Sequence, residues 1–175
     1  DVAWMFEAYM GTGHLDVVKG TAHYWVKILD QVKEFTRKYF RKENGERVGG
    51  AFYPWMCPQY DLSPMPAPPT DPPYANQLHN GAYPLFICYL YWKYTGDQDY
   101  LRSVLPVARA AADFYVGIST YEAEHDSYAI RYKPCMGQDE LGSFNRDNYI
   151  CCVSSAAWTI DSAIEMLRAA GEQPD

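Results

Sequence analysis

Between His14 and Lys42 the sequence carries one long apolar stripe. Val18, Ala22, Trp25, Leu29, Val32, Thr36 and Tyr39 recur at steps of three and four, which gathers side chains on one face of an α-helix. The spacing predicts a single helix over 14–42, stopped by Asn44-Gly45, where glycine can take the left-handed cap conformation. Its outer end carries Lys33, Arg37, Lys38, Arg41 and Lys42, cations that suit a helix C-terminus and water.

Other segments repeat the theme. Val2 to Met10 reads as the end of another helix, joined through Gly11-Thr12-Gly13. Tyr83 to Tyr94 and Gln98 to Tyr115 form a helical pair around Thr95-Gly96-Asp97, with Gly96 after the last turn and Asp97 placed to cap the next helix. Pro106 inside the second member predicts a kink or restart. Residues 121–134 mix polar and aromatic side chains, as a β-hairpin would. A last helix is expected over 148–170 with Val153, Ala157, Ile160, Ile164 and Leu167 on one face. Residues 45–74 are not helical. Gly49 to Trp55 is apolar with turn chemistry, and seven prolines fall between Pro58 and Pro73. They remove backbone donors and hold a loop at about 56–74 extended. The pattern is that of antiparallel helix pairs with function carried on one set of loops.

Composition narrows the function classes. The formal net charge is −7, and no basic stripe exists to neutralise phosphates, which excludes a nucleic-acid partner. No run of about 18 apolar residues is present, so no spanning helix and no membrane partner is expected. Aromatic residues reach 16% of the chain, an excess that suits a large core beside a sugar-binding or protein-binding surface. The five cysteines, Cys57, Cys88, Cys135, Cys151 and Cys152, are odd in number and show no CxxC spacing. They read as small buried apolar residues, and a reducing, cytoplasmic location is favoured.

The most pointed chemistry lies at Gly137-Gln138-Asp139-Glu140. A carboxyl held at a loop tip over a cavity has its pKa raised by burial and by an acidic neighbour. That prepares it to protonate a leaving oxygen at neutral pH. The same spacing also fits two acids that merely precede a helix. Trp4, Tyr53, Trp55 and Tyr60 could line a sugar subsite, or belong to the core. His79 and Asn80 open a helix, where they hydrogen-bond a substrate or cap. Lys133 could contact substrate or phosphate, or stay solvated. Trp25, Trp92 and Trp158 fall on helical stripes as core. His14, His23 and His125 show no metal spacing.

Three segments in order resemble the (α/α)6-barrel glycosidases and disaccharide phosphorylases, most of all glycoside hydrolase family 65. The α-L-fucosidases of family 95 have a similar layout. Gly50-Ala51-Phe52-Tyr53-Pro54-Trp55 resembles the family's GA-x-YPW segment. His79 to Ala82, running on to Thr95-Gly96-Asp97, resembles its helical hairpin. Gly137 to Glu140 with Asp147-Asn148-Tyr149 resembles its GPDE and DNNAYTN segments, with Gln138 in place of proline. The resemblance implies an all-α chain, a single partial (α/α)6 toroid over 1–175, with no cofactor beyond inorganic phosphate as co-substrate of a phosphorylase. It assigns the general acid to Glu140. It places Asp1 in the family's opening segment, and Asp139, Tyr53, Trp55, His79, Asn80 and Lys133 around an oligosaccharide or glycoside substrate.

Such a toroid needs twelve helices, and about half are legible here. The family's base, or its phosphate loop, belongs to a later segment. The chain is therefore expected to be a fragment carrying one half of an inverting pair, whose two groups stand roughly 6.5–9.5 Å apart. An uncovered helix face would drive self-association or contact with the remaining chain. The alternatives are a non-catalytic carbohydrate-binding or interaction module on the same scaffold, and a sugar epimerase using paired histidines, a pairing these four do not show.

Overall fold

The computed structural model describes residues 2–42, 44–54, 57, 77–137 and 144–174. Asp1, Trp55, Tyr60, Asp139, Glu140 and nearly all of the Pro-rich loop lie outside the described residues. The chain is all-α with one small sheet. In order it forms α1 (Val2–Gly11), α2 (Leu15–Lys27), α3 (Leu29–Tyr39), a 3₁₀ turn (Leu78–Ala82), α4 (Tyr83–Thr95), α5 (Gln98–Ile118), β1 (Ser119–Glu122), β2 (Ser127–Ile130) and α6 (Ile150–Ala169). The two strands make the expected hairpin, antiparallel, with Ser119 opposite Ile130 and Tyr121 opposite Tyr128.

Local chemistry explains the breaks. Gly96 takes φ +65° and donates to the Trp92 carbonyl at 2.8 Å, while the Asp97 side chain accepts from the Tyr100 amide at 2.9 Å. Glycine ends one helix without a Cβ penalty, and aspartate caps the next. The stripe from Val18 to Thr36 is buried as expected, apart from a half-buried Trp25. The helix itself is interrupted at Ile28, with φ −93° and ψ 1°. One turn earlier the Trp25 carbonyl accepts the Tyr53 hydroxyl at 3.1 Å, and a side chain bonded into the ladder is a recognised cause of a bend.

The helix also ends at Tyr39, short of the predicted stop. Phe40 turns to extended backbone and sends its ring inward against Phe52 and Phe114, at 4.9 and 5.2 Å between centroids. Asn44-Gly45 instead makes a turn between Arg41 and Arg47, with Lys42 N–H donating to the Glu46 carbonyl at 2.8 Å. The basic end is exposed or half-buried, with Arg37 paired to Glu34 and Lys42 to Glu46.

Pro106 neither breaks nor restarts α5, which runs from Gln98 to Ile118. Pro106 is exposed together with Arg102, so the missing donor and the proline ring lie on the outer side of α5. α5 is the axis of the bundle and touches α2, α3, α4 and α6.

Between α3 and α5 runs a buried segment without regular secondary structure, Ala51 to Pro54. The Ala51 amide donates to the Ala110 carbonyl at 2.7 Å, and the Phe52 amide to Thr36 Oγ1 at 2.7 Å. Thr36 passes its own proton to the Val32 carbonyl at 2.8 Å. Buried amides left without such partners cost free energy, so this thread holds two helices together. Gly50 admits it: φ is +74°, and a Cβ there would lie 2.3 Å from the Phe114 nitrogen.

α6 departs from expectation in rotation. Its buried face is Cys152, Ala156, Thr159, Ala163 and Met166, whereas Val153, Ile160 and Ile164 are half-buried and Ala157 is exposed. Small residues face α5, whose own Ala108 and Ala111 are buried, and this lets the two backbones approach. The predicted stripe flanks that contact, except Leu167, which is buried. With 20 residues and a hydropathy of 1.3, α6 is long and apolar enough to cross a membrane by length and composition. The expectation of no such helix rested on uninterrupted runs, and Ser154, Ser155, Thr159 and Asp161 interrupt this one.

Gly50→Ala is expected to lose about 4 kcal/mol or more of stability, because strain and a backbone clash coincide. Gly20→Ala, exposed on α2 with nothing within 4 Å of its added Cβ, should gain up to about 1 kcal/mol. Chemical denaturation followed by circular dichroism separates the two outcomes.

Candidate functional site

The three sequence segments of interest meet at one end of the bundle. The thread delivers Phe52 beneath the 3₁₀ turn, where a Cβ on Gly81 would lie 3.0 Å from the Phe52 ring and 3.2 Å from the Tyr115 hydroxyl. Tyr115, wholly buried in α5, donates to the Leu78 carbonyl at 2.8 Å. The turn is thus fixed from below by an aromatic ring and a phenol. Gln77 just before it is buried; its Nε2 approaches the Gly137 carbonyl to 3.5 Å, and its Oε1 accepts from Asn80 Nδ2 at 3.0 Å. Gly137 is the last described residue before the Asp139-Glu140 pair, so the root of that loop stands against the turn bearing His79 and Asn80.

His79 is 4% exposed, and its Nδ1 is buried with no hydrogen-bond partner among the described residues. Desolvation lowers its pKa below the ordinary 6.5, because charge is disfavoured away from water. The side chain is therefore a neutral imidazole at neutral pH, able to donate one hydrogen bond and accept another. Asn80 beside it is half-buried.

The loop that leaves Gly137 has a closed neck. Met136 and Phe144 form an antiparallel bridge. Asn145 pairs with Cys135 in both directions: its N–H donates to the Cys135 carbonyl at 2.8 Å, and its Oδ1 accepts from the Cys135 amide at 3.1 Å. Asn148 does the same with Ile130, at 2.9 and 2.8 Å. Both asparagines sit at φ +53°. Asp147 between them accepts from Arg131 at 2.8 Å and pairs with Lys133 at 3.1 Å. Those two cations hold its carboxyl below the usual range, Lys133 contributing most.

The predicted residues divide accordingly. His79 and Asn80 share the turn next to Gly137. Tyr53 does not present a sugar platform: its ring is buried against Trp25 at 5.6 Å and its hydroxyl bonds the Trp25 carbonyl. Lys133 is exposed but ion-paired to Asp147. Trp4 is exposed on α1. Trp92 is buried, while Trp25 and Trp158 are half-buried against the core. Asp1, Trp55, Asp139 and Glu140 lie outside the described residues. Gln77, Asn145 and Tyr115 went unnoticed in the sequence. Only Asn145 carried a signal, since asparagine tolerates positive φ.

All five cysteines are free thiols. Burial pushes Cys57, Cys88 and Cys152 up to about 12, so they stay protonated and unreactive. Among the described residues no cluster of three or more His, Cys, Asp or Glu side chains could hold a metal ion. Compared with known proteins, the chain matches no family model and no curated protein.

His79 ties stability to pH. Its folded pKa lies below its unfolded value, so the unfolded chain binds the proton more readily. The contribution is complete above about pH 6.5 and is lost as pH falls from there through the folded pKa. Urea midpoints measured from pH 8 down to 5 should fall more steeply in the wild type than in His79→Gln. Equal slopes would show that His79 is not buried as a neutral group.

Proposed function

We propose that this chain is part of an (α/α)6 toroid in a carbohydrate-active enzyme that cleaves a glycosidic bond with inversion. Glu140 donates the proton to the departing oxygen, and water or inorganic phosphate attacks the anomeric carbon from the opposite face. His79 and Asn80 contact sugar hydroxyls, and Asp139 and Trp55 complete the donor site. The observation that supports this reading is convergence. Gly50 to Pro54, His79 to Ala82 and Gly137, each part of a segment picked out for its resemblance to one enzyme group, come together at one end of the helices. A scaffold with unrelated motifs has no reason to gather these three. Neutral side chains at the turn suit an uncharged, hydroxyl-rich ring.

The second element of the proposal is association. A groove of about 400 Å³ lies between α5, α6 and the hairpin, walled by Val116, Tyr128, Ile130, Val153, Ala157 and Ile160. Its apolar walls favour contact with further helices of the toroid or with a second copy.

In the intact parent enzyme, Glu140→Gln should lower turnover of a glycoside with a poor leaving group by about 10²–10⁴-fold, the usual share of acid catalysis. An unchanged rate would remove Glu140 from the mechanism. Saccharide binding without turnover by the intact parent would favour a carbohydrate-binding module instead. For the groove, sedimentation velocity should detect association that Val153→Asp with Ile160→Asp abolishes. A wild-type chain that stays a well-folded monomer at every concentration counts against the uncovered face.

A further inference from the structure

Trp158 falls on a helical stripe that reads as core, yet it is only half-buried, and it lines a hollow of about 270 Å³ between the start of α4 and the first turns of α6. Ala82, Tyr83 and Phe86 line one side of it, and Ser154, Ser155 and Trp158 the other. The spacing is helical. Tyr83 stands three residues before Phe86 on α4, and Ser154 and Ser155 stand four and three before Trp158 on α6, so each set shares one face of its helix. Tyr83 and Ser154 are exposed, while Phe86 and Ser155 are half-buried. Ala82 is the last residue of the 3₁₀ turn that carries His79 and Asn80, so the hollow adjoins the end of the bundle already described.

The rings are braced. Trp158 packs against Phe86 with centroids 5.6 Å apart and planes at 57°, and edge-on against Tyr89 at 5.6 Å and 79°. Tyr89 donates from its hydroxyl to Glu165 Oε2 at 2.7 Å, and Glu165 pairs with Lys93 at 2.8 Å. An indole held by two rings, one of them tied by a charge-assisted bond, loses little freedom when a ligand arrives.

The lining selects a ligand by its chemistry. Among the described residues no charged side chain lines the hollow, and the nearby Lys93 and Glu165 neutralise each other. An anionic ligand therefore finds no cation to bind. The volume lies just under the usual range of small-molecule pockets, about 300–1,000 Å³, which suits one six-membered ring and not a peptide helix. Three aromatic side chains make an apolar floor, and two hydroxyls, each with one donor and two acceptor sites, make a polar rim. A pyranose divides in the same way, with C–H bonds on its faces and hydroxyls around its edge. We infer that this hollow is a saccharide-binding subsite, which stacks one neutral pyranose ring against Trp158 and Tyr83 and hydrogen-bonds its hydroxyls through Ser154 and Ser155. It lies outside the donor site proposed above. It also stands without the cleavage reading, since a chain that only binds sugar needs such a platform as much as an enzyme does.

Binding, not turnover, tests it. The full chain is titrated with the methyl pyranosides of glucose, galactose and mannose, with the acyclic hexitol sorbitol and tetramethylammonium as controls. The readout is the set of tryptophan indole N–H signals in proton–nitrogen correlation spectra, the Trp158 signal being assigned from its loss in Trp158→Phe. At least one pyranoside should shift that signal with a Kd on the order of 1 mM, as expected of a small ring held by a few contacts, and leave the signal of the buried Trp92 in place. By calorimetry, Tyr83→Ala should weaken binding up to about tenfold, the worth of one stacked ring. Ser154→Ala with Ser155→Ala should weaken it about fivefold through lost hydrogen bonds. Both variants alter exposed or half-buried side chains, and alanine suits a helix, so both should keep the wild-type circular dichroism. No shift with any pyranoside at about fifty times that concentration would overturn the subsite. So would sorbitol binding as tightly as the pyranosides, or tetramethylammonium binding in their place. Pyranoside affinity that survives both variants but is lost in His79→Gln would put the sugar at the 3₁₀ turn, overturning this subsite and leaving the donor site standing. Binding that follows the two variants, beside an unchanged rate for Glu140→Gln in the intact parent, would keep the subsite and remove the cleavage reading.

Discussion

The bundle is organised around two peptide amides that have no strand to pair with. Ala51 and Phe52 lie in irregular backbone between helices, where each buried N–H would cost free energy if left alone. The Ala110 carbonyl and the Thr36 hydroxyl take them. A carbonyl within α5 is free to accept a second donor, since it has two lone pairs, and a buried threonine can pass its proton back to its own helix. These two bonds place α3 and α5 on opposite sides of one thread. Gly50 is the condition for it, because no side chain fits between the thread and the backbone of α5.

The consequences reach the candidate site through rigid contacts. Phe52 lies under Gly81, and Tyr115 reaches up to the Leu78 carbonyl. The turn bearing His79 and Asn80 is thus set by the thread and by α5 together. The loop root at Gly137 leans on the same turn through Gln77. Burial keeps His79 uncharged, and Asp147 engages Lys133. The described part of the site is therefore neutral and hydrogen-bonding, with the cations gathered at the neck of the loop.

Much of the fold was legible because it rests on local chemistry. The Gly96-Asp97 break, the 121–134 hairpin and the buried stripe from Val18 to Thr36 follow from caps, turns and periodicity. The misreadings share a different origin. The break at Ile28 follows one turn after the Trp25 carbonyl, which takes the hydroxyl of the distant Tyr53. The early end of α3 depends on Phe40 joining an aromatic cluster with Phe52 and Phe114. α6 is apolar around more than one face, so periodicity could not choose between its two stripes, and the closer approach allowed by small residues chose for it. Of the site, His79 and Asn80 were legible as a pair at a helix start. Tyr53 read as a sugar contact because an aromatic beside a turn has the same signature whether it faces a ligand or a core.

The sequence by itself determined the Gly96-Asp97 break by capping, which long segment is amphipathic, and that His79 and Asn80 stand together at a helix start. Those properties depend on neighbours within about four residues. Only the tertiary structure decided that Tyr53 is buried, that Lys133 is held by Asp147, and that Gln77 and Gly137 share one end of the bundle. Such facts arise from hydrogen bonds and ring contacts between distant residues, where two compatible local patterns differ only in what lies across from them.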